Sequence, residues 1–190
     1  MSFVSNLTPI HRRELIRVAR GTAERELAGF VDESIPDGPV IPGRFGGAFV
    51  TVYNGPRLRG CIGTFAATAD IVATVQQVTK SSLTDPRFEN EPITREELPR
   101  IEFEVSILSD LVAVNDPRSL VIGQHGVKVV LGDRSGCFLP KVGVERGWSA
   151  EEFLTHCCSM KAGLSPDAWK SRDCRVYCFQ TDTFRESTLS

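Results

Sequence analysis

A chain of 190 residues, 41% hydrophobic and 24% charged, has the make-up of one globular domain that can bury a core without covalent staples. Its net charge is −2 and it has no block of five like charges, which argues against a dominant phosphate-backbone binding mode. No run approaches the roughly 20 apolar residues of a membrane span, and the first residues carry charges rather than a leader's apolar core. A cytoplasmic location is expected, and with it six reduced cysteines.

The first helix should open at Thr8, whose hydroxyl can cap it, with Pro9 where a missing N–H costs nothing. Leu15, Ala19, Ala23 and Leu27 recur at every fourth position beside Ile16, and Gly29 can end the helix. Residues 31–44 hold three prolines and two glycines without a period and read as an extended surface loop. The stretch GGAFVTVYNGPRLRGCIGTF reads as a hairpin. Phe49, Thr51 and Tyr53 alternate with Val50 and Val52, and Asn54-Gly55-Pro56 supplies the turn.

A second helix is expected from Ala69 to Leu83, with Ile71, Val72, Val75, Val78 and Thr79 on its apolar face, ending before Pro86. Ile101–Leu108 alternates as a strand: Phe103, Val105 and Ile107 face one way, Glu102, Glu104 and Ser106 the other. Val127–Leu131 is a further strand. Residues 132–136 turn the chain back into Cys137-Phe138-Leu139, which Pro140 should end. Ser149 with Glu152 makes a capping box for a third long helix that Gly163 closes. A short helical turn through Trp169 and a last strand, Cys174–Gln180, complete the pattern. Long hairpins interrupted by helices, without regular βαβ alternation, point to an α+β fold with a mainly antiparallel sheet.

Cys61 stands in LRGCIG between Gly60 and Gly63, and Arg59, two residues away in a strand, projects to the same face; Arg57 would share it if the strand ran unbroken. Positive charge beside a thiol lowers its pKa, so the segment can describe a reactive cysteine in a basic niche. It equally describes a small buried residue on a strand that another backbone approaches. His125, in GQHGV, is the histidine best placed as its base; His11 opens a helix and His156 lies within one. Glu104 is a candidate acid–base group, and its bland role is a solvated strand face. Arg87 of DPRF is a candidate for an anionic ligand, and its bland role is a helix-end turn. Cys157-Cys158 and Cys174-x-x-x-Cys178 are not paired metal knuckles; a cysteine-rich core is the simpler reading, with a zinc site including His156 the alternative. No phosphate loop, dinucleotide fingerprint or G-x-S-x-G elbow occurs, so no cofactor is named. Gly60–Gly63 also fits the G-x-x-G loop of KH domains, but without basic surroundings or the helical flanks.

LRGCIGTF at 58–65, DPRF at 85–88, ELPRIEFEVSIL at 97–108, HGVKV at 125–129, FLPKV at 138–142 and the GW…FL run from Gly147 together resemble, in order, the AMMECR family. KAGLSPDAW at 161–169 is similar to its bacterial and archaeal branch, called AmmeMemoRadiSam system protein A. The resemblance covers about residues 8–186 as a single domain. It implies an α+β fold with two sublobes around antiparallel strands. It assigns no firm reaction. It implies a partner set instead: a Memo-type protein, similar to extradiol dioxygenases, and a radical S-adenosylmethionine protein. Arg59, Gly60, Cys61 and Gly63 stand in the family signature and carry over as the site. Two functions follow: an accessory or binding module acting with those partners, or an enzyme using Cys61 as nucleophile or acid–base group, Arg59 to hold an anionic substrate and His125 or Glu104 to move protons.

Overall fold

The computed structural model describes residues 7–29 and 40–189. Helix α1 (Pro9–Ala28) opens as its sequence requires. Thr8 Oγ1 accepts from the His11 N–H, and His11 Nδ1 accepts in return from the Thr8 N–H, so a histidine completes the capping box. Gly29 closes the helix at φ 72°. Most of the expected loop at 31–44 lies outside the described residues. Strands β1 (Gly47–Asn54) and β2 (Arg57–Thr64) form the hairpin around Gly55-Pro56. Helix α2 (Ile71–Leu83) starts two residues after the expected Ala69, because the Asp70 side chain caps it.

Two compact units result. Among the described residues, Ser109–Thr181 form one; residues 7–29, 40–108 and 182–189 form the other. The latter holds a four-stranded antiparallel sheet in the order β2-β1-β3-β8, with β3 at Ile101–Leu108 and β8 at Thr181–Arg185. On one face Ala48, Val50 and Val52 of β1 stand opposite Ile107, Val105 and Phe103 of β3. This face packs with Leu15, Ala19 and Ala23 of α1 and Ile71, Val75 and Val78 of α2 into one core. The period of two in β3 and the helical period in α1 and α2 therefore meet in a single apolar layer. The other face is polar. It carries Phe49, Thr51 and Tyr53 opposite Ser106, Glu104 and Glu102. Thr51, Glu104 and Ser106 are nonetheless buried, so the Glu104 end of this face is not the solvated strand surface that alternation alone suggests.

The other unit holds the antiparallel order β4-β7-β5-β6, comprising Val112–Ala113, Arg175–Phe179, Gly126–Leu131 and Arg134–Phe138. Its core joins Val127, Val129, Phe138, Phe153, Leu154 and Trp169 with the buried Cys157, Cys158 and Cys174. The turn before β6 is tighter than expected: Gly132, at φ 62°, reverses the chain within two residues. Pro140 does not merely end that strand. It is the first residue of helix α3 (Pro140–Arg146), a position where its missing N–H is harmless. Helix α4 (Ala150–His156) has the expected Ser149–Glu152 box, then widens over Cys157–Lys161, where the Ala162 N–H reaches back to the Cys157 carbonyl. The strand expected at Cys174–Gln180 is β7, but it is not the last: β8 follows at once in the other sheet.

Candidate functional site

Strand β2 is an edge strand, so the outward backbone groups of Cys61 need partners other than a strand. The turn at Pro86–Phe88 supplies them. Asp85 Oδ2 accepts from the Cys61 N–H at 2.9 Å, and Arg87 Nη2 donates to the Cys61 carbonyl at 3.0 Å. Arg87 also donates to both oxygens of Asp85, at 3.0 and 2.6 Å. Two motifs far apart in the chain, LRGCIG and DPRF, thus form one clasp. Asp85 is buried. Burial alone would raise its carboxyl, but the Arg87 guanidinium and the N–H groups of Cys61 and Arg87 outweigh that and hold it below its usual range. Arg87 keeps about half of its side-chain surface exposed.

The two glycines have steric reasons. A Cβ at Gly60 would stand 2.0 Å from the Ser82 carbonyl oxygen, so the end of α2 can sit on β2 only because residue 60 has no side chain. A Cβ at Gly63 would stand 2.2 Å from the Phe49 ring, which lies across it from β1. Ser82 fastens the same contact: its Oγ accepts from the Ile62 N–H at 3.0 Å and donates to the carbonyls of Val50 and Val78 at 2.9 and 2.8 Å.

Arg59 lies where the pairing of β1 and β2 breaks step. Tyr53 stands opposite Leu58 and Val52 opposite Gly60, which leaves Arg59 as the extra residue of a bulge. The shared face expected for Arg59 and Cys61 presumes unbroken pairing, which this register does not have. The Arg59 guanidinium is buried and makes two bonds to Glu97, from Nε at 3.0 Å and from Nη2 at 2.9 Å. It also donates to the carbonyls of Glu91 and Pro92. The bonds from Arg59, helped by Asn54 and the Thr94 N–H, push the Glu97 carboxyl down to about 2 against the effect of burial. Arg57, beside it, pairs with Glu91.

Cys61 is half-buried. It stands opposite Thr51, whose hydroxyl lies 3.3 Å from its sulfur. Thr51 in turn stands opposite Glu104 on β3. Cys61, Thr51 and Glu104 therefore form one row across three strands on the polar face, with adjacent Cα atoms about 5 Å apart. The structure brings together Cys61, Glu104, Gly60, Gly63 and Arg87 from the residues singled out in the sequence. His125 stands in the other unit, at the entry to β5. Its Nδ1 accepts from the Val121 N–H at 3.0 Å, so in the neutral ring the proton sits on Nε2. His156 stacks on Trp148 with ring centres 4.2 Å apart.

Thr51, Ser82, Asp85 and Glu97 escape sequence reasoning because each acts through a partner in another element. The cross-strand position of Thr51 was the one signal that a fixed hairpin register could have offered. None of the six cysteines is in a disulfide. Burial pushes the thiols of Cys157, Cys158 and Cys174 up. Among the described residues no three His, Cys, Asp or Glu side chains converge as a metal site would need, and no helix is long and apolar enough to cross a membrane.

Comparison with known proteins covers both units. The chain is 38% identical over 182 residues to Protein MJ0810 of Methanocaldococcus jannaschii, spanning 90% of this chain and 88% of that protein. It is 43% identical over 151 residues to Protein MK0488 of Methanopyrus kandleri, spanning 74% and 71%. The crystal structure of uncharacterized protein PH0010 from Pyrococcus horikoshii matches with a TM-score of 0.81 at 37% identity, over 90% of this chain and 89% of that one. The model of the AMMECR1 family matches residues 16–184, and the chain belongs to that family.

Proposed function

We propose that this chain is a non-catalytic accessory module that works with a Memo-type protein and a radical S-adenosylmethionine protein, presenting the strand around Cys61 to its partner or to the partner's substrate. One observation carries the reading: the residues around Cys61 are spent on holding the strand. Gly60 admits α2, Gly63 admits Phe49, and Arg59 is bound twice by Glu97. What stays accessible is the half-buried sulfur and the half-exposed Arg87, a surface suited to recognition by shape and charge. Mixing the purified proteins at micromolar concentration and measuring association by sedimentation tests this. Binding to at least one partner, weakened by Arg87→Ala, supports it; no association with either overturns it.

A second reading makes Cys61 a nucleophile or acid–base group. The row Cys61–Thr51–Glu104 favours it, because a hydroxyl and a carboxylate on one face can relay a proton from a thiol. In it the half-exposed Arg87 meets an anionic substrate and Glu104 moves the proton; Arg59, buried on Glu97, is not available for the substrate role expected from the sequence. The rate of alkylation of Cys61 against pH, with the other five cysteines replaced, decides. An apparent pKa at or above the ~8.5 of a free thiol removes the reading.

A further inference from the structure

A pocket of about 590 Å³ opens in the unit formed by Ser109–Thr181, the size of a small-molecule site. Three pieces of chain wall it: β7, the turn at Pro117–Ser119 and the turn at Ala168–Lys170. Arg175 and Tyr177 of β7 alternate with Val176, which lies in the core, so both stand on the outer face of the strand.

The lining takes four of the chain's 22 lysines and arginines, Arg118, Lys170, Arg172 and Arg175, against one of its 24 aspartates and glutamates, Asp116. That carboxylate is occupied: its Oδ1 accepts from the Arg118 N–H and caps the turn. Two of the cations are tied down. Arg118 Nε donates to Glu151 at 2.7 Å and Lys170 Nζ to Asp167 at 2.6 Å, and both cations lie over the Trp169 ring. Trp169 itself is 5% exposed, so it supports these cations from beneath and offers no surface to a guest. Arg172 and Arg175 differ. Both are exposed, and neither has a side-chain partner among the described residues. Asp173 adjoins Arg172 in the chain but does not line the pocket, and the Ser171 hydroxyl accepts from its N–H. Asn115 and Tyr177 add a carboxamide and a hydroxyl that are likewise uncommitted among the described residues.

The free groups define the guest. A carboxylate has two oxygens, which one guanidinium fork fills. Two unpartnered forks on one pocket, with further donors beside them, match a group with three oxygens and nearly two negative charges, which is a phosphate monoester. We propose that this pocket binds a small phosphate monoester, its phosphate held by Arg172 and Arg175 while Arg118 and Lys170 add positive charge behind it. A chain of net charge −2 with no basic block is not built to follow a nucleic-acid backbone, whereas one phosphate needs only a local excess of cations. The pocket belongs to the unit that does not carry Cys61 and does not depend on the function proposed above.

The test titrates phenyl phosphate, inorganic phosphate and benzoate into the full chain, followed by calorimetry and protein-observed NMR. Phenyl phosphate should bind at least about tenfold more tightly than benzoate and shift the amides of Asn115, Arg172, Arg175 and Tyr177, and inorganic phosphate should compete with it. The double variant Arg172→Gln, Arg175→Gln should melt with the parent, since both side chains are exposed, and should lose at least about tenfold in affinity. No binding, equal binding of benzoate, shifts that lie elsewhere, or unchanged affinity in the folded double variant would each overturn the proposal. A short single-stranded RNA that displaces phenyl phosphate at micromolar concentration would also overturn it, by making the pocket part of a nucleic-acid surface.

Discussion

A backbone carbonyl oxygen cannot turn aside as a ring can, and that separates the two glycines of the signature. Gly60→Ala would drive a Cβ into the Ser82 carbonyl, whereas Gly63→Ala meets a partly exposed Phe49 ring that can tilt. Gly60→Ala should cost about 3 kcal/mol and Gly63→Ala less, measured by denaturant unfolding. If Gly63→Ala costs more, the close approach of α2 is not what selects Gly60. The cysteines divide by burial. Iodoacetamide should modify native Cys61 and spare Cys157 and Cys158 until the chain unfolds, as read by peptide mass mapping. Cys61 and Glu104 were legible in the sequence as positions on strands with a defined alternation. The commitment of Arg59 to Glu97 was not, because one bulged residue breaks the period of two on which side-chain direction is read.

The clasp around β2 rests on two carboxylates held below their ordinary pKa. For Glu97 the folded value is about 2 against an ordinary 4.5. A depressed carboxyl contributes stability that is fully present above pH 4.5 and lost as pH falls toward 2. Glu97→Gln leaves Arg59 buried without its counter-charge. It should destabilise the protein by about 3 kcal/mol at neutral pH, with the gap to the parent closing between pH 4.5 and 2 in denaturant titrations. A gap that is flat with pH would mean that the pair contributes by shape alone. Elements with strong local signals were readable: the Thr8 and Ser149 caps, the hairpin, and β3 to its end residues. Helix α3 was not, since it is seven residues long, contains a glycine and begins at a proline that equally ends a strand. Strand β8, TDTFR, has a single apolar residue, Phe184, and so little pattern to read.

Each unit has its own core, one built around Phe103, Val105 and Ile107, the other around Phe153, Leu154 and Val129. Ile107→Val should cost about 0.5–1.5 kcal/mol and Leu154→Ala about 2–5. The double variant should equal the sum within about 0.5 kcal/mol, because Ile107 and Leu154 belong to different core clusters. A larger discrepancy, found by unfolding all three variants, would show the cores to be coupled. The α+β class was legible at this scale from hairpins without βαβ alternation; the two sublobes were implied by the family resemblance alone, because no linker composition marks residue 109 or 181. One serine also sets how the molecule opens. The Ile62 N–H is bonded to the Ser82 hydroxyl of α2, which itself donates to Val50. Deuterium uptake at Ile62 should therefore keep pace with fraying of the last turn of α2, while its β1 neighbours stay protected longer, and Ser82→Ala should release that amide alone.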